Sequence, residues 1–99
     1  MEKIVASVDA DLADLIPGYL ANRINDLAVI CNSLGAEDYD TIRRLAHRMK
    51  GSGGGYGFDG ITSIGAAMEQ AAVQKNSGEI KRQVQVLEDY LDKVEITYV

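Results

Sequence analysis

The sequence predicts an all-α fold: an antiparallel, up-down-up-down four-helix bundle with a short leading N-terminal helix. Three observations predict it. Four successive segments carry apolar residues at helical spacing. The links between them are short, so consecutive helices must run antiparallel. The one proline, Pro17, opens the first long segment, and the glycines cluster between Gly51 and Gly60.

In the first long segment Leu20, Ile24, Leu27, Cys31 and Leu34 step by 4, 3, 4, 3 and predict one inward face, with Arg23, Asn25, Asp26 and Asn32 left for the wet side. Pro17 suits a first helical turn, where its missing N–H costs nothing, and Gly35 suits the stop. Asp38 is the expected N-cap of the second helix, whose core face reads Ile42, Leu45, Ala46 and Met49. That helix runs into the glycines, where its end is not defined by pattern.

Asp59 is the expected cap of the third helix, with Ile61, Ile64, Gly65, Met68, Ala71 and Ala72 on one face. Asn76 followed by Glu79 resembles a capping box and opens the fourth. Its stripe, Ile80, Val84, Leu87, Leu91 and Val94, repeats the 4, 3, 4, 3 stepping, and Lys93 suits the C-terminal dipole. A short helix over about Asp9 to Ile16 is expected ahead of all four, with Val8, Leu12 and Leu15 inward. The end segments, Lys3 to Val8 and Val94 to Val99, have β-type composition, consistent with packing or pairing across the bundle base.

Bulk composition narrows the function. With 99 residues, 46% of them hydrophobic and 25% charged, the chain reads as a single domain, residues 1–99, with one modest core. The formal net charge of −5 lacks the dense cationic face that nucleic acid or an anionic membrane requires. A lone cysteine, Cys31, forms no internal disulfide and fits a reducing compartment; its place on the apolar stripe predicts a core residue. The apolar stretch near the N-terminus is too short for a secretory signal, and the longest uncharged run, Leu27 to Ala36, is about half of what spans a bilayer. A cytoplasmic, soluble protein is expected. A monomer is expected too, because one bundle accounts for the apolar stripes.

The chemistry concentrates in residues 46–58. His47 points roughly 140° away from the mean direction of the core face, so it is predicted to be exposed. Arg43 at i−4, Lys50 at i+3, Gly51 at i+4 and Gly54 at i+7 share its face. Nearby cations disfavour an imidazolium and favour a neutral, nucleophilic ring. A phosphoryl group on that ring would bring about two negative charges, which Lys50 and Arg43 are placed to meet. Gly51 and Gly54 remove side chains that would block an approaching partner. Glycines inside a helix cost roughly 0.5–1 kcal/mol each relative to alanine, so a run of them implies a need for close approach. Tyr56 and Phe58 are placed to cover the gap from the core side.

The pattern Ala46-His47-x-x-Lys50-Gly51-Ser52, then Gly57-Phe58 and later Met68-Glu69, resembles the histidine-containing phosphotransfer (HPt) family. It is also similar to the phosphotransfer domain of chemotaxis-type histidine kinases. The resemblance covers essentially the whole chain. It implies that His47 is the phospho-acceptor, usually through Nε2, and that Lys50 interacts with the phosphoryl group. It also implies that Gly51 leaves room beside the ring and that Gly57 permits tight helix packing. The Gly53-Gly54-Gly55 run departs from the family, whose members commonly carry Ala or Ser there. The resemblance further implies a phosphocarrier without independent turnover: a receiver aspartyl phosphate donates to His47, which donates to a second receiver. The expected partners are response-regulator receiver domains and a hybrid sensor histidine kinase. No cofactor or metal is expected on this chain, because the Mg²⁺ would sit in the receiver. Arg44 and Arg48 flank the same surface and are candidates to steer an acidic receiver cleft.

Two other functional readings stay open: a detached acceptor domain phosphorylated in trans by a chemotaxis-type kinase, and a non-catalytic helical adaptor. Gly55-Tyr56-Gly57-Phe58-Asp59-Gly60 matches a dinucleotide fingerprint in letters only, with no strand before it and no βαβ unit around it. Met49 and Met68 read as core, and Glu69 as a structural or helix-surface carboxylate beside the apolar stripe.

Overall fold

The computed structural model describes residues 4–99. The described part of the chain opens with strand β1 (Ile4–Val8) and a 3₁₀ stretch, Ala10–Leu15. Four helices follow: α1 (Ile16–Gly35), α2 (Tyr39–Ser52), α3 (Asp59–Val73) and α4 (Ser77–Lys93). A 3₁₀ turn, Gly54–Tyr56, separates α2 from α3, and strand β2 (Val94–Tyr98) ends the chain. The helices pack as a ring in which α1 touches α2, α2 touches α3, α3 touches α4, and α4 returns to α1. The expected bundle is present.

Local chemistry sets most boundaries. Pro17 lies in the first turn of α1. Asp38 caps α2 by accepting from the Thr41 N–H at 3.2 Å, and Asn76 caps α4 by accepting from the Glu79 N–H at 3.1 Å. The capping box is half-formed, because the Glu79 carboxylate turns to Arg82 and Gln83 instead. The cap of α3 is a correction. Phe58 holds that position without a side-chain bond, its ring buried, and Asp59 is the first helical residue, where a negative charge still suits the dipole.

The purely helical expectation needs amending at both ends. The terminal segments do pair: β1 and β2 form a two-stranded parallel sheet, with Ile4 opposite Val94 and Val8 opposite Tyr98. Val99 N–H continues the ladder to the Val8 carbonyl at 2.9 Å. Parallel strands need a long crossover, and here the whole bundle supplies it. Lys3, the first residue of the predicted segment, lies outside the described residues. Val94 belongs to β2 and not to α4. The leading helix is 3₁₀ rather than α, and Leu15, expected inward, is 54% exposed because the chain turns there into α1.

The largest correction concerns α1. Its buried line is Ile16, Tyr19, Ile30 and Ser33, with Arg23 and Asp26 largely covered between them. Each of these lies about one position before the predicted stripe, a rotation of about 100°. Leu20, Leu27 and Leu34 are half-buried, Ile24 is 59% exposed, and Cys31 is exposed rather than core. Tyr19 explains the rotation. Its ring stacks on Tyr56 at 4.3 Å and on Phe58 at 5.8 Å, and its hydroxyl sits 2.9 Å from Ser52 Oγ. A stacked aromatic with a hydrogen-bonded end outweighs a stripe of aliphatic residues in fixing which face turns inward. Arg23 lies over the same ring, 4.6 Å from its centroid, and pairs with Asp26 at 2.8 Å. Burial pushes the Asp26 carboxyl above its usual range, against the pull of Arg23.

Candidate functional site

The site is built on α2 and completed by α3. Ile42, Ala46 and Met49 bury the inner face of α2, which leaves the His47 side chain 69% exposed on the outer face. Opposite this turn α3 carries Gly65. A Cβ there would lie 2.5 Å from the Lys50 nitrogen and 2.8 Å from the Ala46 carbonyl oxygen. The two helices therefore meet backbone to backbone at the turn that displays His47, and only glycine permits it.

One turn further along α3 stands Glu69. Its Oε2 is 2.7 Å from His47 Nδ1 and its Oε1 is 3.6 Å from Lys50 Nζ. An ionised carboxylate only accepts, so Nδ1 carries the hydrogen of this bond. In the neutral ring Nε2 then keeps its lone pair, directed away from Glu69. A nucleophilic nitrogen is thus fixed in tautomer and held at the surface. Lys50, half-exposed beside it, offers a cation that the carboxylate holds only loosely.

The end of α2 is pinned from two sides. Thr62 of α3 accepts from the Gly54 N–H at 2.8 Å and donates to the Lys50 carbonyl at 3.1 Å. Ser52 meets the Tyr19 hydroxyl and lies 3.4 Å from an Arg23 nitrogen. Gly54 does not share a helical face with His47 as expected: α2 ends at Ser52, and Gly54 starts the following 3₁₀ turn. Gly57 adopts φ +90°, and a Cβ on it would collide with the Ser7 carbonyl of β1. Its small size serves contact with a strand, not packing between helices. Gly51 differs: a Cβ there would meet nothing within 4 Å, so the bundle itself does not demand glycine.

The cations around the ring are partly engaged. Arg43 and Arg44 both reach Asp40, at 2.9 and 3.2 Å. Arg48 is exposed, near enough to Asp26 to act on its charge. Against the expected all-cationic surroundings, the one side chain among the described residues in hydrogen-bond contact with the ring is a carboxylate. Glu69 is the residue that sequence reasoning placed as a structural or helix-surface carboxylate, with no role at the ring. Gly65, four residues earlier, was the available signal, since a glycine inside an apolar stripe marks where α3 touches the helix of His47.

Fold and site together define a small helical bundle that displays a single carboxylate-bound imidazole. A sequence model of the family described as Hpt domain matches residues 6–96, nearly the whole chain, and the chain belongs to that family. Hpt domains are phosphocarriers of two-component signalling that interact with receiver domains and kinases. No curated protein and no solved structure matches the chain. No helix among the described residues is long and apolar enough to cross a membrane.

Proposed function

We propose that this chain relays a phosphoryl group through Nε2 of His47 between receiver domains of a multistep phosphorelay. The observation that carries the reading is the 2.7 Å contact from Glu69 to Nδ1, which leaves Nε2 as the free nucleophile on an open surface. The Nε2 lone pair attacks the phosphorus of a receiver aspartyl phosphate. The N–P bond forms, the P–O bond to the aspartate breaks, and the aspartate leaves as carboxylate. No proton is lost, because Nδ1 keeps its hydrogen. The phosphorylated ring then carries delocalised positive charge, which Glu69 offsets, while Lys50 turns from Glu69 to the phosphoryl oxygens. The reverse sequence delivers the group to a second receiver.

The divalent cation of the transfer belongs to the receiver in this reading, since the carboxylate nearest the ring is occupied by His47 and Lys50. The chain turns over nothing alone: it holds a nucleophile in line, and the partner completes the site. Gly51 leaves the approach beside the ring open, and Arg44 and Arg48 supply positive charge on the same helix to meet an acidic cleft. The proposed setting is the cytoplasm, with a hybrid sensor kinase as the source of phosphate.

The test is a phosphotransfer assay with wild-type chain and a His47→Gln variant, each mixed with phosphorylated receiver domains. Acid-labile, base-stable label on the wild type alone is the expected result. Label arriving only from kinase and ATP would replace the relay by a directly phosphorylated acceptor domain. Equal signalling output from wild type and His47→Gln would leave an adaptor.

A further inference from the structure

The seam between α1 and α4 lies across the ring from the α2–α3 seam that holds His47. It is lined at one end by Ile24, Leu27, Leu91, Glu88 and Asp92, and at the other by Cys31, Leu34, Gly35 and Lys81. The rotation of α1 leaves on this side a band without charge, in which Ile24, Cys31, Ala21, Ala28 and Gly35 are all exposed and Leu20, Leu27 and Leu34 are half-covered. One of the two regular apolar stripes of the sequence is therefore not used up by the bundle. A stripe that keeps helical spacing yet stays at the surface marks an interaction face.

The charges on α4 say what covers it. Lys81 stands at one end of the seam and Glu88 and Asp92 at the other, and none of the three forms a salt bridge within the described residues. Glu37 lies at the rim of the Lys81 end. Along α4 itself the cation and the two acids stand at opposite ends of the seam, so α4 laid against its own reversed copy sets Lys81 against an acid, as an isologous contact allows. We propose that a second copy of this chain packs on the α1–α4 face, antiparallel, about a two-fold axis between Leu27 and Ala28. That axis sets Ile24 against the partner copy's Cys31 position, Leu27 against Ala28, Leu20 against Gly35 and Leu34 against Ala21. Every large side chain meets a small one, the alternation that lets facing helices interdigitate. The same axis brings Lys81 level with Asp92, and Gln85 with Glu88. A parallel pairing loses the charge match. Both copies of His47 stay open, so the dimer stands or falls independently of the phosphotransfer reading.

Sedimentation of the full chain tests this. The wild type is expected to pass from monomer to dimer as concentration rises. Ile24→Asp, Lys81→Asp and Asp92→Lys should each weaken association roughly tenfold or more, while Lys81→Asp combined with Asp92→Lys restores it. Circular dichroism of each variant keeps loss of fold apart from loss of dimer. In oxidising buffer Ile24→Cys should form an intermolecular disulfide with the partner's native Cys31. Wild type should not, because the two Cys31 positions lie about 10 Å apart along the helix axis, beyond disulfide reach. A wild type that stays monomeric at millimolar concentration, a dimer indifferent to Ile24→Asp and the charge reversals, or a disulfide between wild-type Cys31 residues would each overturn the proposal. So would coverage of this face by a different protein alone.

Discussion

Glu69 reaches across from α3 to within 2.7 Å of Nδ1 of His47 on α2. The contact joins two helices at the one exposed imidazole of the chain, and it decides which ring nitrogen is free. Replacing Glu69 by Gln keeps an acceptor of the same shape and removes the charge. Nitrogen-15 NMR of the ring is expected to show a smaller share of the Nδ1–H tautomer. Phosphotransfer should fall about tenfold, or about 1.4 kcal/mol in the barrier. An unchanged tautomer ratio would sink this account of the contact.

Lys50 is half-exposed and 3.6 Å from the Glu69 carboxylate, a weak ion pair at a wet surface. Its loss should barely touch the fold. Lys50→Ala is expected to keep the melting temperature, with a stability change within about 0.5 kcal/mol. The same variant should slow phosphotransfer roughly tenfold by removing charge from the developing phosphoryl group. Rapid-quench kinetics beside a thermal melt separates the two effects. A rate equal to wild type would take Lys50 out of the mechanism.

Two glycines near the site should behave oppositely. Gly65→Ala drives a methyl group into the α2 backbone at Lys50 and Ala46, and overpacking of this kind costs about 1–3 kcal/mol. For a domain of this size that is a fall in melting temperature on the order of 5–20 °C. Gly51→Leu places its side chain in open space, so the bundle should fold normally. Receiver binding, followed by titration calorimetry, should be lost in Gly51→Leu. Normal docking of that variant would contradict the access role.

Glu79 contributes to stability in acid. Hydrogen bonds from Arg82, then Gln83, hold the Glu79 carboxyl at about 2, below its ordinary 4.5. Between those values the unfolded chain binds more protons than the folded one, so stability rises with pH. The contribution is complete above the ordinary value and is lost as pH falls toward about 2. Melting curves of Glu79→Gln should therefore show a shallower decline over that window than wild type. Asp26 works in the other direction, since burial raises its carboxyl and stability falls as pH rises just past its ordinary 3.8.

The four helices, three of their boundaries and the outward display of His47 were legible in the order of residues alone. These follow from spacing, caps and breakers, which act over a single turn and are written in consecutive residues. Asp38, Asn76 and Pro17 stand where short-range rules put them. The exposure of His47 follows from Ile42, Ala46 and Met49, all on its own helix. Tertiary structure alone decided the rest. The rotation of α1 came from Tyr19 stacking on residues nearly forty positions away, a contact that no local period encodes. The union of β1 with β2 joins the two ends of the described chain. Glu69 became the partner of His47 because Gly65 lets α3 lie against the α2 backbone. A helical period says which residues share a face. Only packing, in which the largest and best-satisfied contacts prevail, says which face turns inward and what stands opposite it.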